Sequence, residues 1–299
     1  MFQLIKELNT VYPVEKMCQV FCVSRSGFYE WNGRGHSQRK QEDLKILQVM
    51  KKSHNANQGM CGLDKIWADV REKHPQCSRK RAYRLQREQG LYSVRKKPFK
   101  IATTDSNHKF PVAENLLNRA FKVDKPYTVW VTDITQFNTL EGPLYLATVK
   151  DIFHKEIVGW SIADHMRTEL CTKALENAVM KHRPPKGLMH HSDRGSQYCS
   201  KDYQEALKTN GMICSMSRKG NCWDNACAET FFSTIKSERL RYRVYKTREE
   251  ARQDIFWYIE CFYNRKRRHQ ALGNMTPEAF KQQYYKGLAA QAIKGLAAR

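Results

Sequence analysis

Apolar residues in the first ninety positions recur at helical intervals, whereas those after about position 127 gather in β-rich runs. In "VYPVEKMCQVFCVSRSGFYEWNG" (11–33), Val14, Met17, Cys18 and Phe21 keep helical spacing. Val23-Ser24 then marks a turn, and Ser24 is placed to cap a second short helix reaching Trp31. Two short helices about a tight turn predict a helix-turn-helix with Arg25 and Ser26 at the start of its DNA-facing member. A plain helical hairpin accounts for this stretch equally well. Three more helices are predicted between 41 and 94: "EDLKILQVMKKSH", "GLDKIWADVREKH" with Ile66, Trp67 and Val70 on one stripe, and "CSRKRAYRLQREQGLYS", capped by Ser78 and stopped by Gly90.

From 95 to 125 the chain is polar, basic and without periodicity, which predicts a linker. Three β-rich runs follow, "YTVWVTDITQF", "LYLATVKDIF" and "EIVGWSIA", the first two separated by Gly142-Pro143 as in a hairpin. A helix "TELCTKALENAVMKH", a strand "GLMHHS", a helix near "KDYQEALKTN", a strand "MICSMS" and a long helix from Trp223 or Asp224 complete the pattern. Antiparallel strands followed by alternating helices and strands predict an α/β unit with a mixed sheet. The resulting organisation is a helix-turn-helix at 1–36, a second helical domain at 37–94, a basic linker at 95–125, an α/β domain at 126–285 and a tail at 286–299. The tail repeats "KGLAA" and is assigned no function.

Charge narrows the partners. Lys plus Arg number 52 against 30 Asp plus Glu, a net charge of +22 over 299 residues. Such a field favours a polyanion, with nucleic acid ahead of an anionic membrane surface. No apolar run is long enough to span a bilayer, and "MFQLIKELNT" is too polar for a signal peptide. The ten cysteines contain no Cys-x-x-Cys pair, so reduced thiols in a cytoplasmic protein explain them better than zinc or disulfides. On the "SRKRAYRLQRE" helix, Lys80, Arg84 and Arg87 share one face, with Arg81 beside them. A charged stripe is ordinarily a solvated face, but a stripe of one sign repels itself and fits phosphate better.

Against this basic background three acids stand out. Asp133 interrupts an apolar strand between Val131 and Ile134, Asp193 closes the "GLMHHS" strand, and Glu229 lies on the long helix. In an open α/β sheet, sites form outside the carboxyl ends of strands. Carboxylates converging there repel one another unless a cation lies between them, and Mg²⁺ or Mn²⁺ accepts such oxygen donors. Two such ions activate an attacking oxygen and stabilise a leaving one in phosphoryl transfer. Each acid taken singly is an ordinary capping or hydrogen-bonded residue. Lys236 lies two turns beyond Glu229 on the same helical face, suited to a phosphate.

Asp133, Asp193 and Glu229 stand in DDE order, with 35 residues between the last two. Together with "VSRSGFYEW", "GLDKIWADVR", "WVTDIT", "HSDRGSQY", "SRKGNCWDNACAETFFSTIKSE" and "YNRKRRHQALGNMTPEAF", this resembles the retroviral-integrase-like transposases of two-reading-frame bacterial insertion sequences, specifically their second-frame product. The resemblance covers roughly residues 11–282. It implies a ribonuclease H-like catalytic core and metal-dependent nicking at element ends. In-line attack of the freed 3′-OH on another phosphodiester follows, without a covalent protein–DNA intermediate. It implies Asp133, Asp193 and Glu229 as ligands of two Mg²⁺ or Mn²⁺ ions, and Lys236 as a DNA contact. Its partners are double-stranded element ends and target DNA, a second or further copy in a paired-end complex, and an upstream-frame or fusion partner. It places the protein in the bacterial cytoplasm on the nucleoid.

Other residues receive secondary readings. Asp151 is expected to be a structural acid near the site and Asp224 a helix cap. His190 and His191 are strand residues near the cation, and Trp223 is a core anchor. Arg265, Lys266 and Arg268, in the basic run "YNRKRRH", are expected to contact phosphate. Two other functions remain open at this point, a non-catalytic DNA-binding remnant acting as a repressor and a nuclease that cuts without joining. Dependence on the acids and production of joined DNA separate them.

Overall fold

The computed structural model describes residues 1–94, 111–218 and 222–297; most of the predicted linker and the Trp223 side chain lie outside the described residues. Three short helices come first: α1 (Phe2–Leu8), α2 (Val14–Val20) and α3 (Arg25–Gly33). Ser24 caps α3 as its position predicts, accepting the Gly27 amide at 3.2 Å. The three close on a small core of Ile5, Met17, Cys18 and Phe28. Helix α1 joins the predicted pair unannounced, because seven residues are too few for periodicity to declare a helix.

Helices α4 (Gln38–Ala56), α5 (Leu63–Lys73) and α6 (Arg79–Glu88) follow. Ser78 caps α6 through the Arg81 amide, and Gly90 ends it at φ +63°. These helices do not close a core of their own. Ile46, Met50, Ile66, Val70 and Leu85 belong to one apolar cluster with Phe231, Ile235, Tyr258, Ile259 and Phe262 from the far end of the chain. Polar anchors reinforce the junction. Glu238, 1 % exposed at its side chain, accepts from Arg267 at 2.8 Å, from Tyr258 at 2.8 Å and from Lys65 at 3.4 Å. Arg268 pairs with Asp69 and Glu72 of α5, and Arg239 donates to Gln58. The expected boundary near 94 therefore divides the sequence but not the packing.

Among the described residues the sheet has five strands in the order β3-β2-β1-β4-β5. Strands β1 (Val129–Thr139), β2 (Gly142–Asp151) and β3 (Ile157–Ala163) are antiparallel neighbours. After the crossover helix α7 (Thr168–His182), β4 (Met189–Ser192) and β5 (Ile213–Met216) run parallel to β1. The first hairpin turns at Leu140-Glu141 rather than at Gly142-Pro143, which already pair with Thr139 and Asn138. Proline is tolerated there because it sits at the start of the strand.

Period-two alternation sends Trp130, Ile134, Ala147 and Val149 against α7, α8 (Ser196–Cys199) and α9 (Lys201–Thr209). Gly159 is required on that side, since a β-carbon would collide with the Ala174 carbonyl and with Ala178 of α7. On the other face Val129 and Val131 meet Ala228 of α10 (Ala226–Ile235). Helix α10 widens into a π-helical turn at Lys236–Leu240, and α11 (Arg248–Phe256) runs into a second at Trp257–Tyr263. Helix α12 (Pro277–Ala297) passes through the expected tail without a break at 285. Its Phe280 and Tyr284 pack on Phe153. Of the expected linker, the described part is strapped to the sheet: the Leu116 and Leu117 amides donate to Ser215 Oγ.

Glu238→Ala leaves Lys65 and Arg267 facing each other without their shared acceptor at the junction. Its unfolding free energy, measured by urea denaturation, is expected to fall by about 3–5 kcal/mol.

Candidate active site and nucleic-acid interface

Strand register brings the first two acids together. β1 and β4 are parallel, with Val131 opposite His191, so two residues further on Asp133 and Asp193 stand level at the carboxyl end of β4. Asp133 shares the face of Val129 and Val131, the face that α10 covers. Its Oδ1 accepts the Ile134 amide at 2.8 Å, and Asp193 Oδ1 accepts the Gly195 amide at 2.9 Å. Burial, then the charge of Asp193, raise the Asp133 pKa well above the usual carboxylate range; Glu229 adds to the rise and Lys236 opposes it. The four residues singled out by sequence thus share one electrostatic neighbourhood.

They are not equally close. Glu229 is exposed on the first turn of α10 and acts on Asp133 less strongly than Asp193 does. Among the described residues, no three His, Cys, Asp or Glu side chains are gathered tightly enough to enclose a cation. The donor chemistry nonetheless fits a hard divalent cation: two level carboxylates, a third on the covering helix, and the buried Asn225 amide oxygen, which has no partner. Lys236 is half-buried at the start of the π-helical turn. Burial and Arg241 lower its pKa, and Asp133 counteracts them.

The approach to α10 is fixed by Asp224, which does not act as the expected cap. Asn225 occupies the N-cap position without a side-chain cap bond. Asp224 is instead buried as an ion-pair hub, accepting from Arg218 Nε and Nη2 at 2.8 Å each and from Arg119 Nε and Asn115 Nδ2 at 2.9 Å each. The Arg218 guanidinium above all holds its carboxyl far below the usual range. His191 bridges Ser215 Oγ at 2.9 Å and the Asp224 carbonyl at 3.1 Å, and His190 faces the Tyr203 hydroxyl at 3.1 Å. Burial pushes their pKa values down to about 4 and about 3, so both are neutral framework residues. Asp151 is the structural acid expected, accepting the Tyr127, Phe153 and His154 amides and the Trp130 indole.

The residues expected to touch DNA divide by their surroundings. Lys80, Arg265 and Lys266 are exposed. Arg25 pairs with Glu15, and the Ser26 hydroxyl lies 2.7 Å from that of Ser24. Arg87 lies over the Tyr83 ring. Arg81 binds Asp43 and Glu42, Arg84 binds Asp43 and Glu88, and Arg268 is held by Asp69 and Glu72. The basic stripe of α6 is thus partly neutralised by Asp43, a buried acid on α4 that the sequence reading passed over. Its signal was a lone Asp beside the apolar positions Leu44, Ile46 and Leu47. A groove of about 670 Å³ lies elsewhere, along β3 between α7 and α11, lined by Trp160, Asn177, Arg252 and Phe256 and by none of the three acids.

A mixed sheet in this order, with one acid inside β1, one just past the adjacent β4 and one on the helix over them, is a ribonuclease H-like arrangement. Comparison with known proteins agrees. Residues 123–222 and 210–277 match two integrase core domain families, and residues 40–99 match an HTH-like domain family. The chain is 46 % identical over 269 residues to the insertion element IS600 uncharacterized 31 kDa protein of Shigella sonnei, covering 90 % of this chain and 98 % of that one. It is 36 % identical over 282 residues to transposase InsF for insertion sequence IS3A of Escherichia coli (strain K12), covering 94 % and 98 %. A solved HTLV-2 integrase catalytic core domain in complex with magnesium aligns at 17 % identity and TM-score 0.40, covering 51 % of this chain and 94 % of that one. The chain belongs to the IS3-type insertion-sequence transposases, DDE enzymes with an integrase core. Membership carries integrase-like polynucleotidyl transfer and DNA binding, with residues 40–99 as the HTH-like region. Among the described residues, no helix is long and apolar enough to cross a membrane.

Two measurements probe this region. Asp133→Asn removes a buried charge repelled by Asp193 and Glu229. Without divalent cations at neutral pH its melting temperature is expected to rise by roughly 2–4 °C, the effect of about 1 kcal/mol in a domain of this size, by calorimetry. Asp224, with its depressed pKa, stabilises the fold above the ordinary carboxylate range, and that stability is lost as pH falls towards its folded value. Asp224→Asn should therefore be less stable than wild type at neutral pH and lose less stability on acidification below about pH 5, read from urea midpoints.

Proposed function

We propose that this transposase nicks the ends of its insertion sequence and joins the freed 3′-OH to another phosphodiester, with Asp133, Asp193 and Glu229 as the ligands of its divalent cations. The single observation that carries the reading is the parallel β1–β4 register, which, carried two residues past Val131 and His191, sets Asp133 level with Asp193 near the helix bearing Glu229. A pair of ions bound there would supply activation of the attacking oxygen and neutralisation of the leaving one. The chain's own residues do the rest. The carboxylates fix where the reacting phosphate sits, and Ile134 N–H and Gly195 N–H hold two of them in orientation. Lys236, two turns beyond Glu229, takes a non-bridging phosphate oxygen. His191, bonded at both ring nitrogens, and His190, bonded to the Tyr203 hydroxyl, serve the framework and are given no part in proton transfer.

DNA is held by phosphate contacts from the helical units and from the exposed Lys80, Arg265 and Lys266. Arg25 and Ser26, at the start of α3, would read a groove. Arg81, Arg84, Arg87 and Arg268 reach phosphate only by exchanging or sharing their present partners. Two ends are paired by two or more copies of the chain, with an upstream-frame segment as a further partner, in the bacterial cytoplasm on the nucleoid.

The test is a labelled duplex carrying the element's end, incubated with the protein and Mg²⁺ or Mn²⁺. Joined product is expected with either cation and none with chelator. Glu229→Gln is expected to bind the duplex as wild type does and to reduce joining by at least about 10³-fold, the scale of losing one transition-state charge contact. Joining that survives this substitution refutes the assignment of Glu229.

A further inference from the structure

The amine of Lys150 lies where neither strand nor core chemistry asks for a cation. Lys150 is 5 % exposed in the middle of β2 and stands opposite Val131, on the face that carries Asp133 and meets α10. Its Nζ donates to the Cys227 carbonyl at 2.8 Å and to Thr230 Oγ1 at 2.9 Å, both in the first turn of α10. The Thr230 hydroxyl in turn donates to the Cys227 carbonyl at 2.7 Å. Glu229 lies between these two anchor points in the chain.

Stability alone does not favour this arrangement. Burying an amine is costly, and a positive charge at a helix N-terminus opposes the helix dipole. Burial first, with the charges of Lys155 and Arg267, brings the pKa of this lysine down to about 7. A methionine would fill the same volume without either cost. What the amine adds is direction: two hydrogen bonds that tie one helical turn to one strand. Toward β1, this end of the helix adds the apolar seat of Ala228 and an Asn225 side chain that reaches the Thr132 carbonyl only at 3.5 Å. Asp133 is a diagonal neighbour of Lys150 across the β1–β2 pair, opposite Thr148. The strand pair that presents Asp133 therefore also carries the fastener of the helix that presents Glu229.

We propose that Lys150 is a positioning residue of the transposase, fastening the first turn of α10 to β2 and so setting the distance of Glu229 from Asp133 and Asp193. The inference rests on the reading of those three acids as the cation site. Ligand-orienting residues behind a metal site are typically worth 10- to 100-fold in metal affinity.

The test uses the full chain without DNA and follows its melting temperature against Mn²⁺ concentration, since a cation bound only by the folded state raises it. For Lys150→Met we expect a metal-free melting temperature equal to or above wild type, with the Mn²⁺ midpoint shifted upward about tenfold. Thr230→Ala, which removes one acceptor on an exposed position, is expected to shift the midpoint the same way by a smaller factor. Glu229→Gln should abolish the Mn²⁺ response. Wild-type midpoints in both Lys150→Met and Thr230→Ala, with the response lost in Glu229→Gln, overturn the positioning role and leave the cation site standing. A wild-type response in Glu229→Gln overturns the cation site and this inference with it. If Lys150→Met fails to fold, Thr230→Ala decides alone. A lowered metal-free melting temperature with an unmoved midpoint marks a merely structural lysine and also overturns the proposal.

Discussion

The parallel pairing of β1 with β4 is the constraint on which the site depends. Only a crossover connection joins parallel neighbours, and α7 provides it, seated against β3 through Gly159. The pairing sets Asp133 and Asp193 level, and a slip of one residue would turn Asp133 to the opposite face. Burial first, and then the charge of Asp193, raise the Asp133 pKa. Under the proposed reading, that arrangement would trade stability without a cation for affinity toward one.

Helix α10 completes the site, and its attachments are distributed by chemistry. Apolar contact seats Ala228, Phe231 and Ile235 against the core. Asp224, with Arg218 and Arg119, fixes the chain before the first turn. Glu238 and Arg267 fix the π-helical turn after it, where the widened backbone directs Glu238, Arg239 and Leu240 inward. Because Glu238 is shared with Lys65 of α5, the second helical unit and the Glu229 helix are packed as one body.

The positive charge of the chain is accordingly divided between two tasks. Asp43, Asp224, Glu238 and Asp254 are all buried and each gathers one or more arginines. Buried pairs of this kind contribute little net stability, but removing one partner is costly, so they enforce a single arrangement of helices. The lysines and arginines left exposed are those available to phosphate. Basic runs in the sequence therefore overstate the phosphate-facing surface, since Arg81 and Arg84 of the α6 stripe and Arg268 of the later run are held by acids distant in the chain.

The sequence by itself determined the elements, the basic character, and which three acids to consider. Helix caps at Ser24 and Ser78, the stop at Gly90 and the alternation of β1 are local properties, legible because backbone satisfaction and period-two burial act within a few residues. The string of motifs likewise fixed the family before any geometry was known. Tertiary structure alone decided that α4–α6 share a core with the C-terminal helices, that Asp224 binds arginines rather than capping a helix, and that Lys150 reaches across to α10. The physical reason is range. Propensity and periodicity act between residues close in the chain, whereas the partner of a buried charge is chosen by proximity in space, and Lys65 and Glu238 meet across 173 positions that no local pattern can bridge.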